Sequence, residues 1–335
     1  MNRREGGRPM TVQAQPAHAT LPYDDARRMV ELATSAPSVH NTQPWTWRID
    51  GDVIELYADM SRRLVVEDPV GRNLVISCGA ALHNLQVAAL ALGWATTVDR
   101  MPGGSDPTLL ARVRLHADDV PTDADALATL RERRTDRRRF TSWPVPDQRL
   151  QHLVEVAGEW GCHAVALLED LARIRMELLV ETALAAQAAD TAAAAEQDRW
   201  VDRGHADGVP SRLLPADPAE ALPNRFGPGL LSEAEAELEM SDGVIVLGGT
   251  ADDAGAWLRT GEGLSALWLR ATEGGLSVVP LSQPVEVEQT RKALRREVLG
   301  GLLVPHLVLR IGWQAIGRSQ LPRSPRRAVD DVLRP

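Results

Sequence analysis

A chain of 335 residues, 44% apolar and 25% charged, has the length and apolar content for one large or two smaller hydrophobic cores. Its formal charge of −9 argues against nonspecific binding to nucleic acid or to an anionic membrane surface. The two cysteines, Cys78 and Cys162, make neither a metal-ligand spacing nor a disulfide framework, so no metal site is expected.

Residues 1–20 are polar, rich in Gly, Pro and Gln, and lack the apolar segment of a signal peptide. They read as a disordered extension, with Met10 an alternative start, and the chain reads as cytoplasmic. No stretch approaches the ~20 continuous apolar residues of a membrane span. A helix is predicted over 21–33, with Pro22 near its start, Asp24 and Asp25 in the first turn, and Met29, Leu32 and Ala33 on one face. Residues 35–44 form a loop, because Pro37 and Pro44 exclude a helix there. Segments 45–49 and 53–57 alternate about Asp50-Gly51-Asp52, which predicts a hairpin. A helix over about 70–92 is apolar all round and is closed by Gly93, the pattern of a central buried helix. Strands near 95–99 and 109–115 complete a first unit, 21–125.

A second unit, 126–335, opens on six arginines between residues 131 and 139. It continues with a helix at 147–158, a strand at 163–168 and a helix at 170–185. Residues from about 186 to 232 hold an alanine run and then Pro215, Pro218, Pro223 and Pro228, too long a tract for an ordinary connection. They read as a lid-like insertion, with Trp200, Leu213, Leu214 and Phe226 as apolar anchors. The core resumes with a strand at 244–247, a buried helix at 256–273, a short strand at 277–280, an amphipathic helix near 285–299 and a last strand at 306–311.

The two units share a pattern. Pro22 and Val30-Glu31-Leu32-Ala33 match Pro146 and Val154-Glu155-Val156-Ala157 at an offset of 124; Gly79, Leu82, Leu85, Ala89 and Gly93 match Gly261, Leu264, Leu267, Ala271 and Gly275 at an offset of 182. Such a long period predicts an α+β domain written twice in one chain.

Two stretches carry chemistry. Arginines supply bidentate donors for a phosphate, and the loop from Pro37 to Gln43 offers short polar side chains on a backbone pinned by prolines. Taken alone, the arginines are a solvated face and the loop is turn chemistry. No Rossmann fingerprint, Walker loop or Gly-x-Ser-x-Gly elbow is present, and Leu247-Gly248-Gly249-Thr250 is too short a glycine signal to mean dinucleotide binding. His40, His163 and His306 read as structural.

Together the stretches resemble the nitroreductase superfamily of FMN enzymes, and within it the Acg-type branch of fused proteins. Ala36-Pro37-Ser38-Val39-His40-Asn41-Thr42-Gln43-Pro44-Trp45 is similar to the family's Ala-Pro-Ser-x-x-Asn-x-Gln-Pro-Trp segment, and Arg134-Thr135-Asp136-Arg137 with Phe140 to its phosphate element. The resemblance implies a nitroreductase-like fold duplicated as a pseudo-dimer, a monomer or weak homodimer in solution, with FMN between the halves. It implies flavin contacts from Pro37, Ser38, Asn41 and Gln43 of the first half. From the second half it implies phosphate contacts from Arg134, Thr135 and Arg137, closed over by Arg326 and Arg327. Pro280, Leu281 and Ser282 fall where the family backbone meets the flavin N5 edge, although Ser282-Gln283 stands where the family often has Glu-Gly. The first half lacks the arginines (Met10 and Gln13 stand 124 residues before Arg134 and Arg137) and the second half lacks the loop, so one FMN per chain is expected. The implied activity is hydride transfer from NAD(P)H to nitro or quinone-like acceptors, with no catalytic acid or base required of the protein. The alternative is an FMN-holding protein for storage or sequestration, without turnover.

Overall fold

The computed structural model of the protein describes residues 21–117, 121–213, 242–317 and 322–335. After helix α1 (Tyr23–Ala33), strands β1 (Trp45–Asp50) and β2 (Val53–Ala58) pair as the expected hairpin. Asp50 faces Val53 across a two-residue turn, and Gly51 takes the left-handed φ of +58° that this turn requires. Helix α2 (Arg72–Ala91) follows, then β3 (Trp94–Arg100) and β4 (Leu109–Ala117), which complete an antiparallel sheet of order β1-β2-β4-β3. Among the described residues α2 is the one helix long and apolar enough to cross a membrane, yet its apolar window is 89% buried inside the fold.

Helix α3 (Ala124–Glu132), absent from the sequence reading, carries the chain towards the second sheet. The Asp123 side chain caps it by accepting N–H bonds from Asp125 and Ala126, and the expected boundary at 125/126 falls in its first turn. Then come α4 (Asp147–Glu159), β5 (His163–Ala166), α5 (Asp170–Ala188), α6 (Thr191–Asp198), β6 (Gly243–Gly249), α7 (Ala254–Glu273) and β7 (Leu276–Leu281). The amphipathic helix expected near 285–299 is broken into α8 (Gln283–Glu286), α9 (Glu288–Ala293) and a π-helical turn over Leu294–Val298, with Val287 extended between the first two. Strand β8 (Val304–Trp313) and a final turn of helix, α10 (Val329–Val332), end the chain. The second sheet has the order β5-β6-β8-β7, the first sheet's order four strands on.

Helices α2 and α7 cross between the sheets, and their closest approach is at Gly79 and Gly261. A Cβ on Gly79 would stand 2.1 Å from the Leu258 carbonyl oxygen, and one on Gly261 would stand 2.0 Å from that of Ile76. One core packs α1, α2 and the first sheet around Trp45, Trp47 and Leu82; another packs α4, α7 and the second sheet around Leu153, Leu267 and Leu309.

The connection between β5 and β6 runs over residues 167–242, and the expected insertion at about 186–232 falls within it after α5. Within it, α5 packs through Met176 and Val180 against Leu281, Val285 and Leu294 of the second half, and the stretch from α6 to residue 213 docks on the first half. Glu196 accepts the backbone N–H groups of Val65, Val66 and Glu67, and Trp200 lies between the guanidinium groups of Arg62 (5.5 Å) and Arg203 (4.0 Å). Trp200 and Leu213 are buried, as anchors should be; Leu214, Phe226 and the rest of the tract to 232 lie outside the described residues.

Candidate functional site

The loop between α1 and β1 holds three non-glycine residues in the left-handed region: His40 (φ 45°), Asn41 (55°) and Gln43 (48°). Each such residue carries a conformational cost, so the surroundings must over-determine the loop. They do so from four directions. Ser38 Oγ accepts the Gln43 N–H at 3.0 Å. The Asn41 amide donates to the Gly208 carbonyl at 2.9 Å and the Pro325 carbonyl at 3.0 Å, while its oxygen accepts from Arg326 at 3.0 Å. The Gln43 amide donates to the Ala206 carbonyl at 2.8 Å, and its oxygen accepts the Arg327 N–H at 2.9 Å. The buried His40 ring is hydrogen-bonded to the buried Glu67 carboxylate, and Gln197 donates to the same carboxylate. Asn41 and Gln43 thus fasten the insertion and the C-terminal segment onto the loop.

Two contiguous cavities open beside this loop. The first, with an empty volume of about 720 Å³ including its mouth, lies between α2, α7 and the end of β7. Pro37 and Ser38 form one side with Ile76 and Ser77 of α2. The opposite side is Leu264 and Trp268 of α7 with Val279, Pro280 and Ser282 at the end of β7. Its size is that of an ordinary small-molecule site, and its walls are largely apolar.

Thr135 and Arg137, with Pro37 and Ser38, are shared with a second cavity of about 790 Å³. Arg131, Arg133, Arg134, Arg323 and Arg326 line it further out, and among the described residues no carboxylate does. The Arg133 guanidinium stacks on Trp268 at 4.8 Å and donates from Nη2 to the Ser35 carbonyl at 2.9 Å. Its Nε and Nη1 are buried without a hydrogen-bond partner among the described residues, as is Nε of Arg326. Burial, with Arg326 and Arg134 nearby, holds the Arg133 pKa down to about 9, and burial holds that of Arg326 down to about 10. Buried cations with unspent donors, and no facing carboxylate among the described residues, suit an anion.

Of the residues expected from sequence, Pro37, Ser38, Thr135, Arg137, Pro280 and Ser282 line the first cavity, and Asn41, Arg134 and Arg326 line the second. Gln43, Leu281 and Arg327 line neither. Leu281 is a core residue paired with Val308, and Arg327 donates to the carbonyls of Gln43, Trp45 and Asp331. Sequence reading missed Trp268 and Arg133. Arg133 is the C-cap of the missed helix α3, three residues beyond the buried Leu130.

At the 182-residue offset the positions matching Trp268 and Ser282 hold side chains bonded to one carboxylate. Gln86 and Arg100 stand 182 residues before Trp268 and Ser282. Arg100 grips the buried Glu262 carboxylate with two bonds of 2.7 Å, and Gln86 donates to it at 2.9 Å. Trp160 packs edge-on against His83, with centroids 4.3 Å apart.

No protein-family model matches the chain. Over 329 residues it is 38% identical to "Putative NAD(P)H nitroreductase Rv3131" of Mycobacterium tuberculosis H37Rv, covering 95% of this chain and 94% of that protein. It is 29% identical over 324 residues to "Putative NAD(P)H nitroreductase acg" of the same strain, at 92% and 95% coverage. The structure of a "putative nitroreductase" from Anabaena variabilis superposes over 90% of this chain and 93% of that one, with a TM-score of 0.51 at 10% identity, a likeness of fold. The chain belongs to the nitroreductase superfamily.

Proposed function

We propose that the protein is an FMN-dependent oxidoreductase that takes hydride from NAD(P)H and passes electrons to nitro or quinone-like acceptors. The observation that carries this reading is the join between a largely apolar cavity and an arginine-lined one, the polarity and charge suited to a flavin ring with a phosphate tail. The unspent donors of Arg133 and Arg326 fit a phosphate monoester. Arg134, Arg137 and Thr135 add donors along the same wall, while Pro37, Ser38, Trp268 and Pro280 bracket the ring and exclude water from its faces. FMN, when bound, supplies the two-electron redox chemistry; the side chains supply position and electrostatics.

We read the chain as two nitroreductase-like halves forming a pseudo-dimer with one such site. The matching strand orders and the paired glycines at the α2–α7 crossing support the first part. The Arg100–Glu262–Gln86 network at the positions matching Trp268 and Ser282 supports the second. A working enzyme is favoured over a flavin holder by the relatives named as putative NAD(P)H nitroreductases.

Anaerobic mixing of the FMN-loaded protein with NADPH and with NADH tests the reading. Bleaching of the oxidised flavin band, reversed by a nitroaromatic or a quinone, is expected. A flavin that stays oxidised with both donors would overturn the enzymatic reading and leave the flavin-holding alternative.

A further inference from the structure

The arginine-lined cavity holds more positive charge than one phosphate monoester can use. Four guanidinium groups, those of Arg131, Arg133, Arg323 and Arg326, line one concave surface with no carboxylate among the described lining residues, in a chain whose formal charge is −9. A phosphate monoester brings only about 1.5 to 2 negative charges near neutral pH. The cluster also has an inside and an outside. Arg133 and the Arg326 Nε are buried at the floor, whereas Arg131 and Arg323 are exposed at the rim with Ser324 between the latter and Arg326. Like charges gathered in one cavity raise one another's energy, and an anion placed among them relieves it. A concave site of this size on an acidic protein selects a small polyanion, not a nucleic acid or a membrane surface.

Resting on the FMN reading above, we propose that the rim of this cavity, Arg131 and Arg323, binds a second phosphoryl group beside the one held by Arg133 and Arg326. Two sources share that chemistry: the distal phosphate of a flavin dinucleotide, and a phosphate of the nicotinamide nucleotide docking over bound FMN. Either enters from the open side, since the floor is closed by α3 and by the loop segment Ser35–Ser38.

The test starts from the flavin-free full-length protein titrated calorimetrically, at fixed ionic strength, with inorganic phosphate and with pyrophosphate. Pyrophosphate is expected to bind about tenfold tighter or more, the size of one additional charge-assisted contact. The double variant Arg131→Ala/Arg323→Ala, shown folded by circular dichroism, should lose that preference while its FMN affinity stays within about twofold. Equal affinities in the unaltered protein, or a preference that survives the double variant, would overturn the proposal. Two further arms separate the sources. FAD binding tighter than FMN to the flavin-free protein, and only with the rim arginines present, assigns the second phosphate to the flavin. Tighter binding of 2′,5′-ADP than of 5′-AMP to the FMN-loaded protein, with the same dependence, assigns it to the nicotinamide nucleotide; failure of both arms counts against the proposal. If FMN itself does not bind, the functional reading fails; if FMN binds and pyrophosphate is not preferred, only the rim proposal fails.

Discussion

Gly79 and Gly261 lie against each other where α2 crosses α7, and each would drive a Cβ into the backbone of the other's helix. The Gly79 Cβ would reach Leu258 and the Gly261 Cβ would reach Ile76, residues that themselves stand 182 apart, as the two glycines do. The contact is therefore reciprocal, as across a two-fold axis. Ile76 of α2 and Leu264 of α7 continue from this crossing into the walls of the first cavity, so the crossing sets the spacing of the site as well as the joining of the two cores.

Gly261→Ala should accordingly separate the helices. Overpacking of this kind costs roughly 1–3 kcal/mol, and the clash here is with backbone, which cannot rotate away. A clear fall in melting temperature is expected, together with weaker flavin binding; an unchanged melting temperature would show that the helices part without cost.

Arg133→Met isolates the anion site from the fold. Removing a buried cation whose donors are partly unspent should leave the flavin-free protein as stable or more so, while FMN affinity falls by about tenfold or more, since a bond to a charged group is worth roughly 1.5–3 kcal/mol. Riboflavin, which lacks the phosphate, should bind both proteins alike. Calorimetric titration with the two flavins checks this, and an equal loss for both would place Arg133 against the ring.

Gln43→Ala should behave in the opposite way. Its amide ties Ala206 and Arg327 to the loop, so the cost, about 1–3 kcal/mol for partners left unpaired, falls on stability. Faster proteolysis within residues 199–213 is expected. A large loss of riboflavin affinity with unchanged proteolysis would return Gln43 to the ring-binding role that its motif implied.

These contrasts show where sequence stopped informing. The hairpin at Gly51 and the buried helix α2 were legible because periodicity and turn chemistry are local. The pairing of Pro37 and Ser38 with Arg137 and Pro280 was legible only through the family motif. The hydrogen bonds of Asn41 and Gln43 were not legible because their partners, Gly208, Ala206, Pro325 and Arg327, lie more than 160 residues away and leave no local trace. Helix α3 was missed because a short, alanine-rich segment buries little apolar surface, and with it went Arg133 at its C-cap.

Acid should destabilise the fold through two buried imidazoles. Burial lowers the His83 pKa to about 3 and that of His306 to about 4. The unfolded chain, with pKa values near 6.5, takes up protons first. Stability is therefore full above about pH 6.5 and is lost as the pH falls from there towards 4. Urea midpoints at pH 7 and pH 5 should differ, and the difference should shrink in His83→Gln and His306→Gln, which remove the titrating groups. A midpoint independent of pH in the unaltered protein would contradict these assignments.

The central claim is that one flavin site survives in a chain built from two like halves, the positions matching Trp268 and Ser282 being held by Gln86 and Arg100 on Glu262. Titration of the flavin-free protein with FMN, followed by flavin fluorescence against a known protein concentration, tests this most directly. Saturation at one FMN per chain is the expected result; saturation at two, or no saturable binding, would contradict the account.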